Sequence, residues 1–211
     1  MQRILHIIGS PRTGQSASTD VAQAYIAAAV QRHPGVTVDV IDVWSDDLPE
    51  FDEEIMNAKY AHLSRAALTS RQEQAWAAIA PLAQRIRQAD VLVMSVPMWN
   101  LGIPYRLKML IDVVSQRDYL FDFDGSTFTG LATGRAVLVC ARGINYATGS
   151  ATPEPAWDFQ KSYLIKWLEM IGIFDVQTVV LEQLLFGSDA DATARREAKK
   201  LIVQLAEAPW F

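Results

Sequence analysis

The run Ala89 to Val96 (ADVLVMSV) limits how this chain can fold more than any other segment. After Asp90 it is almost wholly apolar, without the alternation of a half-exposed strand or the period of a surface helix. Such a run fits a strand buried on both faces, and that requires a sheet covered by helices on both sides. Four further segments read as strands: Arg3 to Gly9 (RILHIIG), Thr37 to Trp44 (TVDVIDVW), Ala136 to Ala141, and Asp175 to Glu182. Amphipathic helices separate them. Val21, Ala24, Tyr25 and Ala28 keep helical spacing, as do Leu107, Leu110, Ile111 and Val114. Another helix is expected from about Ala156 to Ile171, and a last one carries Ala194, Ala198, Leu201, Ile202 and Leu205 on one face. Strands alternating with helices imply right-handed crossovers and a parallel sheet. The expected fold is therefore α/β, a three-layer sandwich whose five-stranded parallel sheet has the order 2-1-3-4-5. A single domain spans residues 1–211.

Composition excludes several classes of function. The chain is 50% hydrophobic and 20% charged with a formal net charge of −5, which offers no basic footprint for nucleic acid. No segment approaches the roughly 20 apolar residues of a membrane helix, and Met1-Gln2-Arg3 does not open a signal peptide. The single Cys140 rules out an internal disulfide and suits a reducing, cytoplasmic setting; within its apolar run it reads as a small buried hydrophobe. His6, His33 and His62 show no metal-ligand spacing, so no metal site is expected. Residues 45–70 exceed what the sheet needs. Their acidic start and the apolar Leu48, Phe51, Ile55, Met56 and Tyr60 suggest an ordered helical flap.

Two loops carry the chemistry. Pro97-Met98-Trp99-Asn100-Leu101-Gly102-Ile103-Pro104 follows the central strand directly. Its prolines stiffen both ends, Gly102 is the residue expected to take an unusual backbone angle, and the large apolar side chains suit a flat aromatic guest. After the first strand comes Gly9-Ser10-Pro11-Arg12-Thr13-Gly14-Gln15-Ser16-Ala17-Ser18, small and hydroxylated, leading into a helix. Backbone amides, hydroxyls and the positive end of a helix dipole then converge on one point, as a phosphate requires. The loop lacks the GK[ST] of a P-loop and the G-x-G-x-x-G of a dinucleotide fold, so one phosphate monoester fits better than a pyrophosphate. In the 2-1-3-4-5 order strands one and three are neighbours, and both loops open on one crevice. A phosphate joined to a planar heterocycle describes FMN. Arg142-Gly143-Ile144-Asn145-Tyr146, after the fourth strand, closes the other side of the ring.

With these motifs in view, the chain resembles the FMN-dependent NADH-azoreductases, also described as NADH:quinone oxidoreductases, of the flavodoxin-like superfamily. The resemblance covers nearly the whole length. It rests on Ser10-Pro11-Arg12 with Ser16-Ala17-Ser18, on Pro97 to Pro104 with Leu107-Lys108, and on Ala141-Arg142-Gly143. It implies tightly bound FMN, with Ser10, Ser16, Ala17 and Ser18 at the phosphate. Met98, Trp99, Asn100 and Leu101, with Ala141, Arg142, Gly143 and Ile144, would lie at the ring. The family commonly has Tyr and Phe where this chain has Trp99 and Leu101, and Ser-Arg-Gly-Gly where it reads Ala141-Arg142-Gly143-Ile144. The implied activity is ping-pong hydride transfer from NADH or NADPH to quinones or azo compounds, with nicotinamide and acceptor taking turns beside Trp99 and Phe121. No protein acid, base or nucleophile is demanded, because the flavin carries the hydride. The competing class is a flavodoxin-type electron carrier, which needs no pocket for small substrates.

A homodimer is also expected. At 100° per residue Met109 and Val113 fall opposite the inward stripe of their helix. The segment 156–171 carries a wide stripe of Phe159, Tyr163, Leu164, Trp167, Leu168, Met170 and Ile171. The resemblance implies flavin sites at the subunit boundary.

Overall fold

The computed structural model describes residues 2–207; Met1, part of the start considered above, lies outside the described residues. Strands β1 (Arg3–Ile8), β2 (Thr37–Asp42), β3 (Val91–Pro97), β6 (Arg135–Ala141) and β7 (Val176–Leu181) form a parallel sheet in the order β2-β1-β3-β6-β7. This is the expected 2-1-3-4-5 topology; only the numbering differs, because a short hairpin, β4 (Phe121–Phe123) with β5 (Phe128–Gly130), precedes β6. Helix α1 (Ala17–Arg32) follows β1, and α2 (Glu53–Ser64), α3 (Ser70–Ala77) and α4 (Ile79–Arg87) follow β2. After β3 comes α5 (Tyr105–Val114), after β6 come α6 (Glu154–Trp157) and α7 (Lys161–Ile171), and α8 (Ser188–Glu207) closes the described chain.

The period of two sorts the strand residues onto opposite faces. Ile4, Val91, Val93, Val137, Val139 and Val179 pack against Val21, Tyr25, Ala198 and Ile202 of α1 and α8. Leu5, Ile7, Leu92, Met94, Leu138 and Cys140 face Ile86, Leu110, Ile111 and Leu164 of α4, α5 and α7. Every residue from Val91 to Val96 is buried, as the continuous apolar run requires. Burying each of the large aliphatic side chains is worth roughly 1.5–3 kcal/mol, so this strand anchors the fold.

Several expectations need correction. The inward stripe of α1 is Val21, Ala22, Tyr25 and Ala29, one position round from the one inferred, because Ala24 and Ala28 reach only half-burial. Val113 is buried within its own chain and cannot contribute an outer apolar face of α5. The helix expected over 156–171 is broken. Asp158 is extended, and its Oδ1 accepts from the amides of Gln160 and Lys161, which starts α7 afresh. Within residues 45–70, α2 is capped by Asp52 and buries Ile55 and Ala58 against the core, while Tyr60 is exposed.

Candidate functional site

The loops after β1, β3 and β6 leave the carboxyl ends of three adjacent strands, and each is fixed by backbone bonds to its neighbours. Gly9 N–H donates to Ser95 O at 2.9 Å, and a Cβ on Gly9 would stand 3.1 Å from that same oxygen. Met98 N–H donates to Ala141 O at 2.7 Å, and Arg142 N–H to Leu181 O at 2.8 Å. Parallel pairing thus continues into the loops and holds them side by side.

In the first loop Ser10 is buried, and its hydroxyl accepts from the Arg12 amide at 3.3 Å. Ser16 is the N-cap of α1; its Oγ accepts from Thr19 N–H at 3.3 Å and from the Thr19 hydroxyl at 3.0 Å. Ala17 and Ser18 are then the first two helical residues. Among the described residues nothing accepts from their amides, as expected for the first turn of a helix. Two free N–H groups, the helix dipole and the Ser16 and Ser18 hydroxyls 3.2 Å apart form a cradle suited to a phosphate dianion. The donors present fit the phosphate of FMN.

Behind the cradle lies a polar chain that inspection of the loops alone misses. His6 Nε2 is 3.0 Å from Ser95 Oγ, which is 3.4 Å from Thr19 Oγ1, the donor to Ser16. Burial lowers the His6 pKa to about 4, so the imidazole is neutral and takes part only as a hydrogen-bonding group. The available signal is a polar residue in each of two apolar strands, RILHII and VLVMSVP.

The loop after β3 is a two-residue hairpin. Trp99 and Gly102 exchange both backbone hydrogen bonds at 3.0 Å, and Asn100 and Leu101 take φ of 47° and 72°. Two successive positive φ values make a type I′ turn. The unusual angles therefore fall on Asn100 and Leu101 and not on Gly102. Asn suits this region; Leu in it is strained by about 1 kcal/mol, which the surroundings must hold in place. They do so through Phe159 N–H, which donates to Leu101 O at 3.0 Å, and Gln160 Nε2, which donates to Val96 O at 2.8 Å. Met98 and Leu101 are half-buried, while Trp99 and Asn100 are exposed. Trp99 joins an aromatic cluster with Trp44 at 5.5 Å and Tyr105 at 6.5 Å between ring centroids. Trp44, which the sequence places at the end of a strand, donates from Nε1 to Gly9 O at 2.9 Å and so links the first loop to the second.

In the loop after β6, Ala141 and Arg142 are buried, Gly143 is half-buried and Ile144 is exposed. The Arg142 guanidinium does not face the crevice. It is fully buried, with Asp158 at 2.6 Å, Glu154 at 2.8 Å and Glu182 at 3.1 Å, and it lies over the Tyr146 ring. Only the backbone of Arg142 remains for a ligand; its side chain ties this loop to α6 and α7. The exposed Leu185, after β7, borders Gly143, and the exposed Phe186 follows it in the chain. Phe121 lies elsewhere. The ten residues of α5, roughly 15 Å of helix, separate the turn after β3 from the hairpin, whose Gly130 packs on the backbone of Gly172 at the end of α7. Within one chain Phe121 is not beside Trp99.

A family described as having a flavodoxin-like fold matches residues 2–205. The FMN-dependent NADH:quinone oxidoreductase 3 of Pseudomonas fluorescens is 42% identical over 209 residues, covering 98% of this chain and 97% of the relative. The FMN-dependent NADH:quinone oxidoreductase 2 of Pseudomonas syringae pv. tomato is 44% identical over 203 residues, covering 94% and 96%. The chain belongs to this family of flavodoxin-like quinone oxidoreductases. Among solved structures, an FMN-dependent NADH-azoreductase from Bacillus anthracis in complex with FMN superimposes with a TM-score of 0.84 at 20% identity, covering 98% of this chain and all of that one. At that identity the likeness concerns the fold. For a member of the family, the three loops occupy the place where an open α/β sheet binds its ligand.

Proposed function

We propose that this protein is an oxidoreductase that binds FMN and transfers electrons from NADH or NADPH to quinones or azo compounds. The observation that carries the reading is the cradle of free Ala17 and Ser18 amides lying next to a rigid aromatic turn, at the ends of neighbouring strands. Ser10, Ser16, Ala17 and Ser18 would hold the phosphate. Met98 to Leu101 would line one side of the ring, and the backbone of Ala141 to Ile144 the other. When bound, FMN supplies a ring that takes up a hydride and gives up two electrons. The chain's own part is to bind, orient and shield. Trp44, Trp99 and Tyr105 form an aromatic edge to the crevice. No side chain is assigned a proton-transfer role, since His6 is buried and neutral, and burial pushes the Cys140 thiol up to about 12. The names of the relatives support this reading over a pure electron carrier.

The same reading includes a cytoplasmic homodimer. Tyr163, Met170, Phe128 and Phe174 border an apolar groove of about 620 Å³ between α5, α7 and the hairpin. A second copy seated there would bring its hairpin, remote from its own crevice, toward the partner's.

The purified protein refilled with flavin is expected to show an oxidised-flavin spectrum that NADH bleaches without oxygen, and acid should release FMN. Release of FAD, or no flavin uptake, overturns the proposal. Uptake without bleaching by NADH or NADPH leaves an electron carrier.

A further inference from the structure

We infer that the electron acceptor enters a cavity beside the Trp99–Gly102 turn, and that this cavity selects uncharged aromatic acceptors over anionic ones. The inference rests on the proposed oxidoreductase function and adds its substrate class. The cavity has a volume of about 700 Å³, the size of pocket that takes one ligand of two or three fused rings. Its apolar walls are Phe51, Ile103, Tyr105, Met109, Phe159 and Tyr163. It adjoins the proposed ring site through a shared loop. Gly102 and Ile103 belong to the same Pro97–Pro104 loop as Trp99, and the Phe159 amide is bonded to Leu101 O at 3.0 Å.

The charges on the cavity are unbalanced. Glu50, Asp52 and Asp112 line it against one cation, Lys108. The Lys108 ammonium sits 2.5 and 2.6 Å from the two Asp112 oxygens, so that pair is neutral as seen by a ligand. Asp52 accepts the Ile55 amide as the cap of α2. Glu50 is exposed and has no ion-pair partner among the described residues. Lys59 stands 5.9 Å from the Phe51 ring centroid without lining the cavity, and even with it counted the site stays negative. An acceptor carrying a sulfonate or carboxylate would have to lose solvation against apolar walls and face these carboxylates. One like charge at about 6 Å in a water-like medium costs about a threefold loss, and lower dielectric raises it.

The test compares two acceptors of matched size, 2-(hydroxymethyl)anthraquinone and anthraquinone-2-sulfonate, on the FMN-loaded protein. Their kcat/KM values are measured with NADH, and their binding is measured without it by quenching of flavin fluorescence. The neutral compound is expected to be favoured about tenfold or more in both. Glu50→Gln should narrow the ratio about threefold, and so should raised salt, which screens the carboxylates. Glu197→Gln, the same charge change on α8 across the sheet, should leave the ratio unmoved. Equal preference for the two compounds, or a ratio that both variants move alike, overturns the inference alone. A protein that takes up no FMN overturns the function beneath it as well.

Discussion

Arg142 and His6 show how single residues serve a site without touching a ligand. The guanidinium of Arg142 is fully buried beside Asp158, whose side chain is 1% exposed, so the two charges depend on each other. Arg142→Met would leave that carboxylate buried and unpaired, at about 3–5 kcal/mol. The loss should appear as a lower denaturant midpoint, and Arg142→Lys should restore little because one ammonium cannot span three carboxylates. His6 gives a pH signature. Its pKa is about 4 when folded against 6.5 for the free group, so between these values the unfolded chain binds the extra proton. Stability therefore falls as pH drops from about 6.5 to about 4, by roughly 3 kcal/mol across that window, and above it His6 has no effect. Unfolding curves at several pH values for the native protein and His6→Asn should differ by that slope; parallel curves would show that the imbalance is not at His6.

Among the elements, α1 combines a structural cap with a proposed phosphate site. Ser16→Ala removes the cap, worth about 1 kcal/mol, and a donor of the cradle. Apoprotein titrations should show FMN affinity reduced about tenfold or more, with riboflavin, which has no phosphate, little changed. Equal losses for both flavins would place Ser16 outside the phosphate site. The sheet was legible in the sequence because a strand buried on both faces leaves an unbroken apolar run, and all five strands fall within two residues of their expected bounds. The two principal loops were legible through their prolines, glycines and serines. What escaped was set by contacts distant in sequence. Helix 156–171 breaks because Asp158 is held by Arg142, and the positive φ values fall on Asn100 and Leu101 because a two-residue turn demands them there. The hairpin left an overlooked local signal in Asp124-Gly125. Gly125 has φ of 103°, and Asp124 Oδ1 accepts from the amides of Ser126 and Thr127. Trp44 and Ser95 looked like ordinary strand residues until the fold placed them beside Gly9 and Thr19.

At the scale of the whole molecule, one crevice has to serve two substrates. Nicotinamide and acceptor would need the same exposed side of the ring, so initial-rate plots at varied NADH and quinone should be parallel; intersecting lines would mean that both bind at once. The proposed homodimer rests on surface left over. Val113 is spent on the chain's own core, so an interface cannot rest on it; Met109 and Tyr163 line the acceptor cavity, and the outer apolar residues left for an interface are Met170, Phe128 and Phe174, the last 77% exposed. A contiguous apolar surface of this kind is unusual on a monomer. The hairpin sharpens the argument, since Phe121 and Phe128 pack on each other at 5.3 Å at the far end of α5 from their own crevice. Sedimentation near micromolar concentration should therefore give a dimer. The double variant Met170→Lys, Phe174→Glu should give a folded monomer, with native circular dichroism and most of its NADH:quinone activity gone, because each crevice loses the neighbouring hairpin. A native protein that sediments as a monomer while reducing quinone at full rate would show that each chain carries a complete site.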